Sequence, residues 1–126
     1  MLQGCWRALL WRKLQQNGIK NTKFVGTLPA QGCGFPYDGA NEGHGGILAT
    51  GIVSGKQLPP WLSQTHPDIV MIHLGTNDVW SNKPTADILA AFTSMVGWIR
   101  ESKKTMKILA SEHCRSLESY FDMSCG

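Results

Sequence analysis

The spacing of apolar residues predicts helices in three parts of the chain. Residues 5–17 place tryptophan and leucine on one face and charged side chains on the other, which is typical of an amphipathic helix. Residues 85–102 repeat apolar side chains at intervals of three and four, so a helix is predicted there as well. Residues 47–63 also fit a helix, which we expect Pro59 and Pro60 to break into two pieces because proline cannot donate the amide hydrogen of an interior turn.

Shorter apolar runs predict strands between these helices. Residues 69–74 are almost entirely apolar and end at Gly75, a pattern typical of a central parallel strand that is buried on both faces. His73 lies inside that run and is expected to be a buried core residue. Residues 23–28 and 106–110 predict two further strands. Because helices and strands alternate along the chain, the pattern favours a parallel sheet with crossover helices.

Two motifs rich in hydrogen-bond donors are predicted to meet at the carboxyl ends of the strands, where such sheets bind ligands. The apolar run 69–74 leads into Gly-Thr-Asn-Asp, and a long glycine-rich loop, residues 29–46, ends in a Gly-Gly pair before a helix. The backbone N–H groups of the Gly-Gly turn and the side-chain amide of Asn77 are the kind of donors that stabilise an oxyanion. No convincing nucleophile or base accompanies them, so the sequence predicts an oxyanion hole without a complete catalytic set.

Composition narrows the classes of function. The 126 residues form one domain, and the net charge of +3 comes from scattered lysines and arginines, which argues against a nucleic-acid-binding face. No apolar run approaches the roughly 20 residues that span a bilayer, so no membrane association is expected. Arg7, Arg12 and Lys13 interrupt any signal-peptide core near the N-terminus.

The four cysteines, Cys5, Cys33, Cys114 and Cys125, form no CxxC motif. The histidines are not spaced around them as zinc ligands usually are, so neither a metal nor another cofactor is predicted. In an oxidising compartment Cys5 and Cys33 would be suited to a disulfide that closes a moderate loop, whereas in a reducing cytosol all four would stay buried or free thiols.

The chain resembles the SGNH (GDSL-type) hydrolases over roughly residues 4–109. It is most similar to the fungal carbohydrate esterases of family three, which remove acetyl groups from xylan. The four stretches that carry the resemblance are Cys5–Trp11, Glu42–Gly46, Asp68–Met71 and Leu74–Trp80.

The resemblance implies a three-layer α/β/α flavodoxin-like sandwich with a parallel sheet. In such enzymes a serine attacks the ester carbonyl and a histidine moves the proton, while the positions matching Gly46 and Asn77 hold the oxyanion. Asp78 is expected to fix the loop through local hydrogen bonds. His44, in the glycine-rich loop, and Trp80 are the candidates for substrate contact, and packing of Trp80 on its loop is the alternative for that residue. The implied partners are an acetylated polysaccharide or a small ester, bound by a monomer.

The chain departs from the family pattern in three places. The Gly-Asp-Ser block of the nucleophile would lie upstream of Gly4, and the Asp-x-x-His block of the triad would lie beyond residue 126. Gly45 and Ile47 stand where the family more often has serine and an aromatic residue. Residues 1–110 are therefore predicted to be a partial SGNH domain, truncated at both ends, and residues 111–126 a divergent tail.

These observations predict a carboxylic ester hydrolase of SGNH type that deacetylates carbohydrate, with the chain as given retaining only its oxyanion hole and being inactive. A non-catalytic carbohydrate-binding pseudoenzyme and a functionless fragment are the alternatives. The full-length relatives are secreted, but this chain shows no signal for secretion. An incomplete sheet leaves strand edges unpaired, so marginal stability and aggregation are also expected.

Overall fold

The computed structural model describes residues 5–111, and these form two compact units. The first unit contains the described residues up to Gly45 together with Pro60–Pro67. The second contains Gly46–Pro59 and the described residues from Asp68 onward. The divergent tail predicted for residues 111–126 lies outside the described residues except for Ser111.

The first unit begins with helix α1 (Trp6–Gln16), and the helix predicted for residues 5–17 is thereby confirmed. The Nδ2 atom of Asn17 donates to the Lys13 carbonyl at 2.8 Å, which satisfies one acceptor of the last turn. Gly18 follows with φ +77°, a left-handed conformation that commonly ends a helix. Cys5, Ala8 and Leu62 are the buried apolar residues of this unit.

The strand predicted for residues 23–28 is wrong. The segment is irregular except for one antiparallel bridge, in which Leu28 and Asn41 exchange N–H···O bonds of 2.9 and 3.0 Å. The Phe24 N–H donates to a carboxylate oxygen of Asp38 at 2.8 Å, and Thr27 donates to Glu42. Side-chain carboxylates thus take the backbone donors that a neighbouring strand would otherwise use.

The glycine-rich loop 29–46 is tied down by its own polar groups. The Tyr37 hydroxyl donates to the Gln31 carbonyl at 2.7 Å. The Asn41 amide donates to the carbonyls of Pro29 and Gly39 at 3.1 and 3.0 Å. These contacts give the loop a defined path without regular secondary structure.

Two short helices follow where one interrupted helix is predicted. They are α2 (Ala49–Ser54) and α3 (Leu58–Thr65). The break falls before Pro59 and Pro60, not at them, and both prolines lie in the first turn of α3. Proline is tolerated there because the first N–H groups of a helix have no intrahelical acceptor.

The second unit contains a parallel βαβ arrangement. Strand β1 (Ile69–Ile72) leads through the short helix α4 (Thr76–Trp80) and the long helix α5 (Thr85–Ser102) to strand β2 (Lys107–Ala110). The strands pair in parallel from Ile69↔Lys107 to Ile72↔Ala110, and within residues 5–111 the sheet has these two strands. The predicted α/β class, the parallel sheet and the helix over 85–102 are confirmed.

The core of this unit lies where α2 packs against α5. Its buried apolar residues are Ala49, Ile52, Ala91, Met95, Ile99 and Met106. They lie at helical spacing on the two helices, except for Met106, which precedes β2. None of the described helices is both long and apolar enough to cross a bilayer.

Strand β1 differs from its prediction in length and burial. It ends at Ile72, so His73 lies outside the strand and is exposed, not a core residue. Ile69 and Met71 are 53% and 56% exposed, whereas the alternating residues Val70 and Ile72 are partly buried. Parallel strands are buried on both faces only when both sides of the sheet are covered. Within residues 5–111, one side of β1 lacks that cover.

Candidate oxyanion-binding site

The Gly45–Gly46 pair forms a turn just before α2, and Gly46 has φ +75°. A Cβ atom on Gly46 would meet no other atom within 4 Å. The need for glycine therefore comes from the left-handed backbone and not from crowding. Within residues 5–111 the Gly46 N–H makes no hydrogen bond to another residue, which leaves this donor available to a ligand.

Asn77 lies in the first turn of α4, directly after the strand-to-helix turn at Gly75. Gly75 forms the N-cap of α4 with φ +99°, a left-handed conformation that glycine adopts without steric cost. The Asn77 Nδ2 donates to the Ile47 carbonyl at 3.1 Å. A side-chain amide carries two hydrogens, so this bond orients the group and leaves a second hydrogen to donate. The amide is thereby held against the residue that follows Gly46.

Asp78 is fully buried and binds the start of α2. One carboxylate oxygen accepts the Ala49 N–H at 2.7 Å, and the other accepts the Thr50 N–H at 3.0 Å and the Thr50 hydroxyl at 2.7 Å. Burial opposes the charged form, but the hydrogen bonds from Thr50 and Ala49 outweigh it and hold the pKa of Asp78 below its ordinary value. The bonds join residues 28 and 29 positions apart and are not the local ones expected from the sequence.

Sequence reasoning missed α4 and the partners of its side chains, Ile47 and Thr50. The sequence does contain one indication that the first turn of α2, which includes Thr50, needs a hydrogen-bond acceptor from elsewhere in the chain. Leu48, the N-cap of α2, offers no side-chain acceptor to the first N–H groups of the helix. Such groups need an acceptor from elsewhere, and a buried aspartate supplies it here.

The Thr76 hydroxyl is a further polar group of α4, buried and without a partner among residues 5–111.

His44 belongs to the first unit and forms a pair with Glu42. Its Nε2 lies 2.7 Å from a Glu42 carboxylate oxygen and carries the hydrogen, because a carboxylate only accepts. Its ring stacks on Trp61, with centroids 4.8 Å apart and planes 11° from parallel. Partial burial opposes ionisation of Glu42, but hydrogen bonds from Thr27 and His44 outweigh it and hold the pKa of Glu42 below its ordinary value.

Trp80 is the last residue of α4 and is 73% exposed. The neighbouring part of the second unit forms an open groove of about 510 Å³, lined by Val79, Asn82, Lys83, Pro84, Thr85 and Ile88. The groove combines apolar side chains with an amide, an ammonium and a hydroxyl group. Such a mixture suits a ligand that has both apolar faces and hydroxyl groups.

The remaining predicted site residues are Cys5 and Cys33, which the structure joins in a disulfide between Cα atoms 5.7 Å apart. The bond links the start of α1 to the glycine-rich loop. Cys114 and Cys125 lie outside the described residues. Within residues 5–111, no three histidine, cysteine or acidic side chains gather where they could hold a metal ion.

The parallel β1–α5–β2 unit makes this an α/β protein. The chain belongs to the GDSL-like lipase/acylhydrolase family, whose model matches residues 3–124. The resemblance that the motifs carry is thereby confirmed. No curated protein sequence matches the chain at a significant level.

Solved structures that are similar to this chain include carbohydrate and acetyl esterases. A mutant acetyl esterase with a bound acetate ion is 31% identical, with a TM-score of 0.76 over 84% of this chain and 54% of that one. A carbohydrate esterase family 3 protein from Talaromyces cellulolyticus matches with the same values. The Clostridium thermocellum family 3 carbohydrate esterase is 26% identical, with a TM-score of 0.71 over 87% of this chain and 52% of that one. The chain spans about half the length of these structures.

Proposed function

We propose that this chain carries the oxyanion-binding part of a carboxylic ester hydrolase that removes acetyl groups from carbohydrate. The observation that carries the proposal is the Asn77 amide, held 3.1 Å from the carbonyl of the residue after Gly46. Membership of an acylhydrolase family and the esterase names of the similar structures support the reaction class and the acetylated substrate.

The two donors have a direct chemical task in ester cleavage. When a nucleophile adds to the ester carbonyl, its oxygen becomes an oxyanion, and donors fixed beforehand stabilise that charge without rearranging. The Gly46 N–H and the second hydrogen of the Asn77 amide are the proposed donors. Removing one such donor typically costs about 10²–10³ in kcat.

We propose that the chain as given binds acetyl groups but hydrolyses acetyl esters only very slowly. Its 126 residues contain neither Gly-Asp-Ser nor Asp-x-x-His, the blocks that supply the nucleophile and the base in the family it belongs to. Donors alone give only a small part of the catalysis that a complete triad provides. Acetate binding is therefore the sharper test of this site.

The test is an acetate titration of the ¹⁵N-labelled full chain, followed by NMR. We expect saturable shifts of the Gly46 N–H and of the Asn77 side-chain amide. Asn77→Asp keeps the shape but replaces the donor with an anion, so binding should be lost. The matched control is Asn21→Asp, which makes the same substitution at an exposed position in the first unit. Unchanged Gly46 and Asn77 signals in the wild type, or full binding by Asn77→Asp, would refute the proposal.

Carbohydrate binding without turnover is a second candidate, favoured by the exposed Trp80 beside a groove that has both polar and apolar walls. Exposed tryptophan rings can cover the apolar face of a sugar. Xylooligosaccharide binding, measured by NMR or calorimetry, should then weaken in Trp80→Ala and not in Leu89→Ala, which removes an exposed side chain of α5. Equal binding by both variants would exclude a role for Trp80.

A further inference from the structure

We infer that Asp78 is a positioning residue of the proposed oxyanion-binding site. Its carboxylate fixes the first turn of α2, and thereby the distance between the Gly46 turn and the Asn77 amide. The inference rests on the proposed function, since it concerns how that site is held together.

The carboxylate of Asp78 is placed to hold a helix start that has no local cap. Both of its oxygens accept hydrogen bonds, one from Ala49 and the other from the N–H and hydroxyl of Thr50. A buried carboxylate is costly unless such bonds satisfy it. A neutral asparagine at this position has only one oxygen and would place an NH₂ group against a backbone N–H. The geometry therefore specifies an anion at position 78.

Both proposed donors lie close in the chain to the residues that the Asp78 hydrogen bonds hold in place. Gly46 lies three residues before Ala49, and Asn77 directly precedes Asp78 in the chain. Nothing surrounds the place where a Gly46 side chain would be, so packing at that point does not hold the turn. The hydrogen bonds from Asn77 to Ile47 and from Ala49 and Thr50 to Asp78 connect the turn and the start of α2 to α4.

A purely structural role would lower stability without changing ligand binding, so the two roles can be separated. Thr50→Val removes one of the three bonds to Asp78 and keeps the branched shape, whereas Thr50→Ser keeps the hydroxyl. The matched control is Thr93→Val, which removes a hydroxyl bonded to the Leu89 carbonyl at 2.9 Å on α5, in the same unit. Asp78→Asn tests the requirement for the anion.

The measurement is acetate affinity, together with the chemical shifts of the Asn77 side-chain amide in the full chain. We expect Thr50→Val to weaken acetate binding about tenfold, because acetate must then order a turn that the wild type already holds in place, and to shift the Asn77 signals. Thr50→Ser should bind nearly as well as the wild type, and Thr93→Val should bind equally well even if it melts at a lower temperature. Asp78→Asn, where it folds, should bind more weakly still.

The outcomes separate the inference from the function on which it rests. If acetate leaves the Gly46 and Asn77 signals of the wild type unchanged, the proposed function fails and the inference falls with it. If the wild type binds and Thr50→Val binds equally well with unchanged Asn77 signals, the inference alone is overturned. If Asp78→Asn does not fold, the comparison of Thr50→Val with Thr50→Ser still decides.

Discussion

Thr27 and Glu42, fifteen residues apart in the chain, are joined by two hydrogen bonds. The Thr27 N–H donates to one carboxylate oxygen at 2.8 Å, and its hydroxyl donates to the other at 2.6 Å. The second of these oxygens also accepts the bond from His44. A single carboxylate thus holds both the segment after α1 and the residue that precedes the Gly45–Gly46 turn.

This relationship predicts acid sensitivity of the first unit. Since the pKa of Glu42 is held below its ordinary 4.5, its contribution to stability is complete well above pH 4.5 and is lost as the pH falls through the lowered pKa. Unfolding followed by circular dichroism from pH 7 to pH 3 should show this loss, and Glu42→Gln should reduce it. Glu101→Gln on α5 is the control. Equal pH dependence in the wild type and Glu42→Gln would contradict the prediction.

Much of the regular structure could be predicted because its signal is local. The apolar repeat over residues 85–102 coincides with α5 (Thr85–Ser102), since a long amphipathic helix encodes its own buried face. The strand predicted over residues 23–28 failed because its backbone donors bond to distant carboxylates. His73 was misplaced because an apolar run does not reveal where a strand ends.

The candidate site was only partly predictable, for a related reason. The Gly-Thr-Asn-Asp motif marks Asn77, and a glycine pair before a helix marks Gly46. The bonds that bring the motifs together span 28 to 30 residues, and no local periodicity records them. The structure brings the Asn77 amide to Ile47, but the roles of Gly46 and Asn77 as oxyanion donors stay predictions.

The Gly45–Gly46 turn offers a matched pair of substitutions. Gly46→Ala forces an alanine into φ +75° and should cost about 1 kcal/mol in the free energy of unfolding, while tilting the N–H proposed to bind the oxyanion. Gly45→Ala meets no atom within 4 Å and lacks the left-handed φ, so it should be nearly neutral. Chemical denaturation and the acetate titration measure both effects. Similar behaviour of the two variants would show that the conformation of Gly46 is not important.

The Cys5–Cys33 disulfide should stabilise the first unit. It joins residues 28 positions apart, and closing a loop of this length removes entropy from the unfolded chain, typically by about 2–4 kcal/mol at 25 °C. We expect the unfolding midpoint of the wild type to fall on reduction, and the midpoint of Cys33→Ser to be low already. Reduction should not lower the midpoint of the variant further, because the variant has no Cys5–Cys33 bond. Peptide mapping before and after reduction identifies the bond. Absence of a linked Cys5–Cys33 peptide from oxidised protein would rule it out.

The face of the sheet that is exposed within residues 5–111 should drive self-association. Ile69, Met71 and Leu109 are each more than half exposed, and Met71 pairs with Leu109 in the parallel register, so their side chains point to the same side. Exposed apolar side chains on a sheet face favour association, although Lys107 pairs with Ile69 on the same face. Met71→Lys should shift the concentration at which oligomers appear in sedimentation velocity upward, with little effect on melting because the side chain is 56% exposed. Leu89→Lys, on an exposed position of α5, is the control. A wild type that stays monomeric at high concentration, or an equal effect of both variants, would show that this face does not drive association.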